Sequence, residues 1–205
     1  MPNKIIVQGG YVLGMTHNPR NNGFKDILIE DGRIKSIDDF IPSDDAKTIS
    51  ADGCIVLPGL IDSHRHLWYT ALRGKTMDHS LGDLVTGLWP KVGTSLTAAD
   101  IYSATRAGIV EALNMGITTI LDHCHAINTE AHADGAIQAH LELPGRALFA
   151  YGPSMVQKMN EVTGNPLTTD WSYAKEIKDK VLKSSRHTFA LAPQGPSASR
   201  SEERR

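Results

Sequence analysis

The sequence predicts an α/β fold, with a small sandwich-like β-sheet domain followed by strands alternating with helices in a parallel sheet. Three observations predict it. Short β-rich segments and Asp-Gly turn dipeptides fill residues 1–56. From Leu57 onward, patterns of buried strands and helices alternate about four times. Polar residues gather where each of those strands ends: Asp62 to His66, Asp122 to His125, Tyr151 to Ser154, and Pro193 to Pro196. A parallel sheet with outer helices is either doubly wound or a (β/α) barrel, and both keep their chemistry at the C-terminal strand ends.

In the first domain, "KIIVQGGYVL" is a strand-like run broken at Gly9-Gly10. In "DILIEDGRIKSI", Ile27, Ile29, Ile34 and Ile37 flank Asp31-Gly32, a dipeptide that suits the positive φ angles of a tight hairpin. "KTISADGCIVLPG" repeats the theme with Asp52-Gly53. No cluster of polar side chains marks a site in residues 1–56, so this domain reads as a β-rich addition without chemistry of its own.

Residues 57–196 read as about four strand–helix units. "IVLPGLID" is an apolar strand closed by Asp62. "LTAADIYSATRAGIVEALNMG" is a helix: Thr97 and Asp100 form a capping-box start, Ile101, Ala104, Ile109 and Leu113 recur near helical spacing, and Gly116 suits the C-terminal cap. "ITTILD" is a short, β-branched buried strand. "EAHADGAIQAHLEL" is a weaker helix ended by Pro144, and "RALFAYG" the next strand. "TTDWSYAKEIKDKVLKSS" is a helix and "HTFALAP" a final strand. Residues 197–205 form a polar tail without a large apolar side chain, expected to be disordered. A (β/α)8 barrel takes about 250 residues, and about 150 follow the N-terminal strands, so roughly half a barrel is present.

Composition narrows the function. Hydrophobic residues at 40% supply a sizeable core, and a net charge of -2 without a long basic run argues against nucleic acid or an anionic membrane as partner. Cys54 and Cys124, far apart, make no disulfide framework. "MPNKIIVQGGYVLGM" is a poor signal peptide and too short to span a bilayer. The reading is a cytoplasmic protein.

Two His-x-His pairs stand out, His64/His66 and His123/His125, where nine randomly placed histidines would give roughly 0.4. On a strand, residues two apart share a face, so His64 and His66 aim two imidazoles at one point while Arg65 points away. Neutral imidazole suits zinc or iron, but a catalytic site needs about three or four protein ligands. The second pair follows its strand directly, in strand or loop, and could contact substrate or offer rival ligands. Cys124, with no partner cysteine nearby, reads as a buried free thiol. Gln194 could hydrogen-bond a bound ring or amide, or simply cap a loop. Trp68, Trp89 and Tyr69 could stack on a flat substrate or serve as packing anchors. His132 and His140 fall in a helix as surface or packing residues.

"VLPGLIDSHRHL" closely resembles the opening of the metal-dependent amidohydrolase superfamily, in which a small β-domain leads through a "PGxIDxHxH" strand into a (β/α)8 TIM-type barrel. "ALRGKTMDHSLGDLVTGLWPKVGTSLTAADIYSATRAGIVEALNMGITTILDH" resembles the branch with cytosine-deaminase-like, guanine-deaminase-like and triazine-hydrolase-like enzymes, and the likeness covers about residues 4–196. The resemblance implies the first half of such a barrel, with His64 and His66 as ligands of one divalent metal, zinc or iron. Trp68, His123 and Gln194 are the substrate-contact candidates. Gln194 stands where several members carry a substrate-contacting His, a departure from the purine-deaminase pattern. The remaining metal ligands and a proton-shuttling Glu belong to later strands, past Arg205, so no catalytic acid or base is assigned within the chain. The implied activity is hydrolysis of a non-peptide C–N bond in a small molecule, foremost deamination of a nitrogen heterocycle by metal-activated water. The alternatives are a cyclic-amide hydrolase or a non-catalytic fragment. Homo-oligomers are common among such enzymes.

Overall fold

The structure, a computed structural model, describes residues 4–42, 45–152, 154 and 171–193. The chain divides into two compact units, Met1–Gly59 and Leu60–Arg205.

The first unit is one mixed sheet of β1 (Lys4–Val12), β2 (Gly23–Glu30), β3 (Arg33–Asp38), β4 (Lys47–Ser50) and β5 (Ile55–Val56). The strand order is β3-β2-β1-β4, with β5 also paired to β1. Its described residues form a single sheet, not two stacked ones. The β2–β3 hairpin forms as expected. Glu30 pairs with Arg33 across Asp31 and Gly32, whose φ angles are 48° and 74°.

Two expectations need correction. Gly9-Gly10 does not break β1, which runs through a bulge where its register with β2 shifts between Val7 and Gly10. Asp52-Gly53 does not close a hairpin, because β4 and β5 both run parallel to β1. It forms a turn, with the Cys54 N–H bonded to the Ala51 carbonyl at 2.9 Å. This turn lets the second edge skip past the bulge. The Asp-Gly pair offers a positive φ in either setting, Gly53 lying at 72°. The buried Asp26 carboxylate accepts the N–H groups of Gly9 (3.0 Å) and Ile41 (2.9 Å), which holds the bulge in place.

The second unit carries β6 (Leu60–Arg65), β7 (Ile117–Cys124), β8 (Arg146–Tyr151) and β9 (His187–Leu191), all parallel and in chain order. Helices α1 (Ala98–Asn114), α2 (Glu130–Glu142) and α3 (Ala174–Val181) connect them, with α1 packed on α2 and α2 on α3. The strand order never reverses among the described strands, whereas a doubly wound sheet requires a reversal. Helix α1 starts at the expected Thr97–Asp100 capping box and ends before Gly116, at φ 79°. Ile101, Ala104, Ile109 and Ala112 form its buried stripe. The core joins Trp68, Ile101, Cys124, Ile137, Phe149 and Ile177, each large apolar side chain contributing about 1.5–3 kcal/mol.

The segment between β6 and α1 was not legible in the sequence as helical. A 3-10 turn, Leu67–Leu72, follows β6, and a short helix, Leu81–Asp83, runs into a wide π-type stretch, Leu84–Gly93. Pro90 lies within that stretch and lacks the N–H an α-helical ladder needs. Gly108 lets α1 approach the 3-10 turn. A Cβ there would lie 2.6 Å from Thr70 Oγ1 and 2.7 Å from Leu67 Cδ2. Among the described residues, no helix is long and apolar enough to cross a membrane.

Candidate metal centre

His64 lies in β6, and His66 is the first residue beyond it, still extended at φ -121° and ψ 91°. Their rings are 5.5 Å apart between centroids. Arg65 points away as the spacing predicts, donating to Asp62 (3.3 Å) and to Glu111 of α1 (3.4 Å). The His66 Nδ1 lies 2.9 Å from the carbonyl of His123. A carbonyl only accepts, so Nδ1 carries the proton, and in the neutral ring Nε2 carries the lone pair. This is the usual arrangement of a metal-binding histidine, whose second ring nitrogen donates to a carbonyl or carboxylate.

Strand β7 extends to Cys124, so His123 is strand and His125 lies just beyond it. The His66 centroid is 5.0 Å from that of His123 and 4.5 Å from that of His125. The two His-x-His pairs therefore meet at His66, which lies 57 residues from His123 in the chain. His125 is buried and packs edge-on against Trp68 and Trp89, both at 5.3 Å. Cys124 is buried, and burial followed by the charge of Asp122 pushes its thiol well above the usual range. It stays protonated, as a free buried thiol should. Among the described residues, no group of three or more His, Cys, Asp or Glu side chains is arranged to hold a metal ion.

Trp68 is 0% exposed and packs in the core beside His125, which favours the packing-anchor alternative over stacking on a substrate. Tyr69 and Trp89 are only half-buried, and the Trp89 indole N–H donates to the Tyr69 hydroxyl. Burial raises the Tyr69 pKa, and the Trp89 bond partly offsets it. Gln194 lies outside the described residues.

His132 and His140 are buried, with specific polar partners. His132 Nε2 lies 2.8 Å from the Leu96 carbonyl, and Asn128 donates to the Gly93 carbonyl at 2.9 Å. These bonds tie the end of the Trp89 segment to the chain leaving β7. His140 Nε2 lies 3.0 Å from the buried carboxylate of Asp122. A signal for this pair was in the sequence. Alternation along β7 puts Asp122 on one face with the buried Ile120 and Cys124, and a carboxylate there needs a buried partner.

The donor set at the strand end suits a divalent ion: two imidazoles, one with its Nδ1 proton held by a carbonyl. It supplies two of the three or four ligands such a site takes. These features define a parallel α/β unit with an imidazole pair at the C-terminal end of its first strand, where such folds carry their chemistry. Residues 55–203 match the model of the amidohydrolase family, and the chain belongs to that family.

It is 31% identical over 174 residues to the 5-methylthioadenosine/S-adenosylhomocysteine deaminase of Pyrococcus furiosus, covering 83% of this chain and 39% of that protein. It is 34% identical over 164 residues to the 5'-deoxyadenosine deaminase of Methanosarcina barkeri, covering 78% and 35%. The chain thus spans about two fifths of the length of the curated relatives it matches. Among solved structures, a mutant atrazine chlorohydrolase from Arthrobacter aurescens, complexed with zinc and atraton, superposes with a TM-score of 0.78 at 22% identity. That match covers 97% of this chain and 48% of the other. The guanine deaminase of C. acetobutylicum, with guanine bound, gives 0.70 at 17% identity over 97% and 48%. These two likenesses bear on the fold alone.

Proposed function

We propose that the chain is the N-terminal β-domain and first half of the (β/α)8 barrel of a metal-dependent aminohydrolase. The reaction is hydrolytic removal of an amino group from a nitrogen heterocycle. The observation that carries this reading is the His64/His66 pair at the end of β6, with the His66 Nδ1–H given to the His123 carbonyl. The deaminase names of its relatives, two of which act on adenosine derivatives, support the substrate class.

His64 and His66 hold the ion, zinc or iron. When bound, the ion supplies a nucleophilic water at neutral pH by lowering its pKa from about 15.7 towards 7. The residues of this chain orient. The His123 carbonyl keeps the His66 proton on Nδ1, so the ring binds through Nε2. His123 itself faces His66 and is proposed to contact substrate, as is Gln194. Tyr69 packs edge-on against the His66 ring at 5.3 Å and is held by the Trp89 indole N–H, so the two limit the movement of that ring. Two imidazoles fall short of a full ligand set, so the 205 residues are proposed to bind metal weakly and not to turn over alone. Ligands and a proton-relaying carboxylate outside them complete the site.

The test loads the chain and its His64→Ala and His66→Ala variants with zinc or iron(II). Bound metal and ammonia release from 5'-methylthioadenosine, 5'-deoxyadenosine and guanine are then measured. The reading expects metal uptake that each substitution abolishes, and no ammonia. Uptake unaffected by both substitutions would overturn it.

A further inference from the structure

The geometry points to Asp122 as a positioning residue for His66, with His140 holding the Asp122 carboxylate in place. Asp122 lies on β7 and is 0% exposed. One carboxylate oxygen accepts the backbone N–H of Leu67 at 3.2 Å, and the other lies 3.0 Å from His140 Nε2. Leu67 directly follows His66 and opens the 3-10 turn. The Leu67 N–H is the first of the turn, a position that the side chain of the preceding residue does not cap, and it is bonded instead from another strand, 55 residues away. The next residue after Asp122, His123, takes the ring proton of His66 through its carbonyl. Two consecutive residues of β7 therefore hold both the backbone and the ring of His66.

This bears on ligand geometry. The Leu67 N–H bond fixes where the chain turns from strand to 3-10 turn, and hence the direction of the His66 Cα–Cβ bond. With that direction fixed, the ring can reach the His123 carbonyl with Nδ1 only, and Nε2 faces away from it. Asp122 meets two donors, which requires two acceptor oxygens. An amide in its place would set an NH2 group against the Leu67 N–H, or against the His140 Nε2–H unless His140 moves its proton to Nδ1 and so changes how it holds residue 122. His140 keeps Asp122 from rotating, since it comes from α2 on the buried side of the sheet.

The inference rests on the metal-centre reading only in taking His66 as a ligand, and the test separates the two. Long-range 1H–15N NMR on the 205-residue chain reads which His66 nitrogen carries the proton, with no metal present. The parent shows the Nδ1–H form. Asp122→Asn, folded by near-ultraviolet circular dichroism, gives mixed or exchange-broadened tautomers of His66. Its zinc affinity by calorimetry falls roughly ten- to a hundredfold. If Asp122→Asn does not fold, His140→Leu removes one of the two donors on the carboxylate and His140→Gln retains one. The first then loosens His66 and the second restores it. A folded Asp122→Asn or His140→Leu chain with the parent's His66 tautomer and ring shifts overturns the inference, whatever its loss of stability. A parent that takes up no zinc sinks the metal reading, and the tautomer still decides the role of Asp122.

Discussion

Replacing His187 by Leu should flatten the acid limb of the chain's stability curve. His187 opens β9, is 5% exposed, and its Nδ1 has no hydrogen-bond partner among the described residues. Its ring lines a small cavity with Ile137, Ala147, Phe149 and Val181. Burial, then the nearby His140 and Arg186, pull its pKa from 6.5 down to about 4. Above pH 6.5 the ring is neutral in both folded and unfolded chains and pH has no effect through it. Between pH 6.5 and 4 the unfolded chain takes up a proton that the folded chain refuses, so stability falls as pH falls. The gap of about 2.5 pH units, at 1.36 kcal/mol each, amounts to about 3 kcal/mol by pH 4. Urea unfolding followed by circular dichroism at four pH values between 7 and 4 measures it. The parent should lose about 1.4 kcal/mol more per pH unit than His187→Leu within the window. The carboxylates are common to both proteins and cancel in the difference, while the repulsion between His140 and His187 leaves with the ring and is part of the effect measured. Parallel curves for parent and variant would refute the reasoning.

Other substitutions probe the frame that carries the site. Gly108→Ala drives a methyl group into Thr70 and Leu67, 2.6 and 2.7 Å away, and should cost about 1–3 kcal/mol in urea unfolding. A neutral result would mean that the 3-10 turn yields easily. Thr97→Ala removes the capping box of α1 and should cost about 1 kcal/mol, with loss of helical signal confined to that helix in hydrogen exchange. Gly32→Ala forces a side chain onto φ 74° and should cost about 1 kcal/mol without any clash, since open space surrounds it. Leu60, Ile61 and Leu191 on the outer strands β6 and β9 are 51%, 72% and 51% exposed, so the chain alone should self-associate. Sedimentation showing a concentration-independent monomer would contradict that.

Features set by neighbours along the chain were legible in the sequence. Asp31-Gly32 names its hairpin because the turn and both strands are contiguous, and Thr97 with Asp100 names the start of α1 for the same reason. Asp52-Gly53 misled because a positive φ serves a hairpin and a bulge-skipping turn equally, and the deciding partner, β1, lies some 40 residues back. The Leu81–Gly93 segment escaped notice although Ser80 and Asp83 have capping-box spacing, since Gly87 and Pro90 read as helix breakers. At the site, the period of a strand sufficed to pair His64 with His66. The convergence of His123 and His125 on His66, and the burial of Trp68, depend on packing across β6 and β7, which local pattern does not encode.

The most direct measurement is a zinc titration of the 15N-labelled chain, following the ring nitrogens of His64, His66, His123 and His125. His66 Nε2 and one ring nitrogen of His64 should move together on one saturating curve, with His123 and His125 shifting less. Ligand-type shifts at His123 and His125 while His64 and His66 stay unchanged would contradict it.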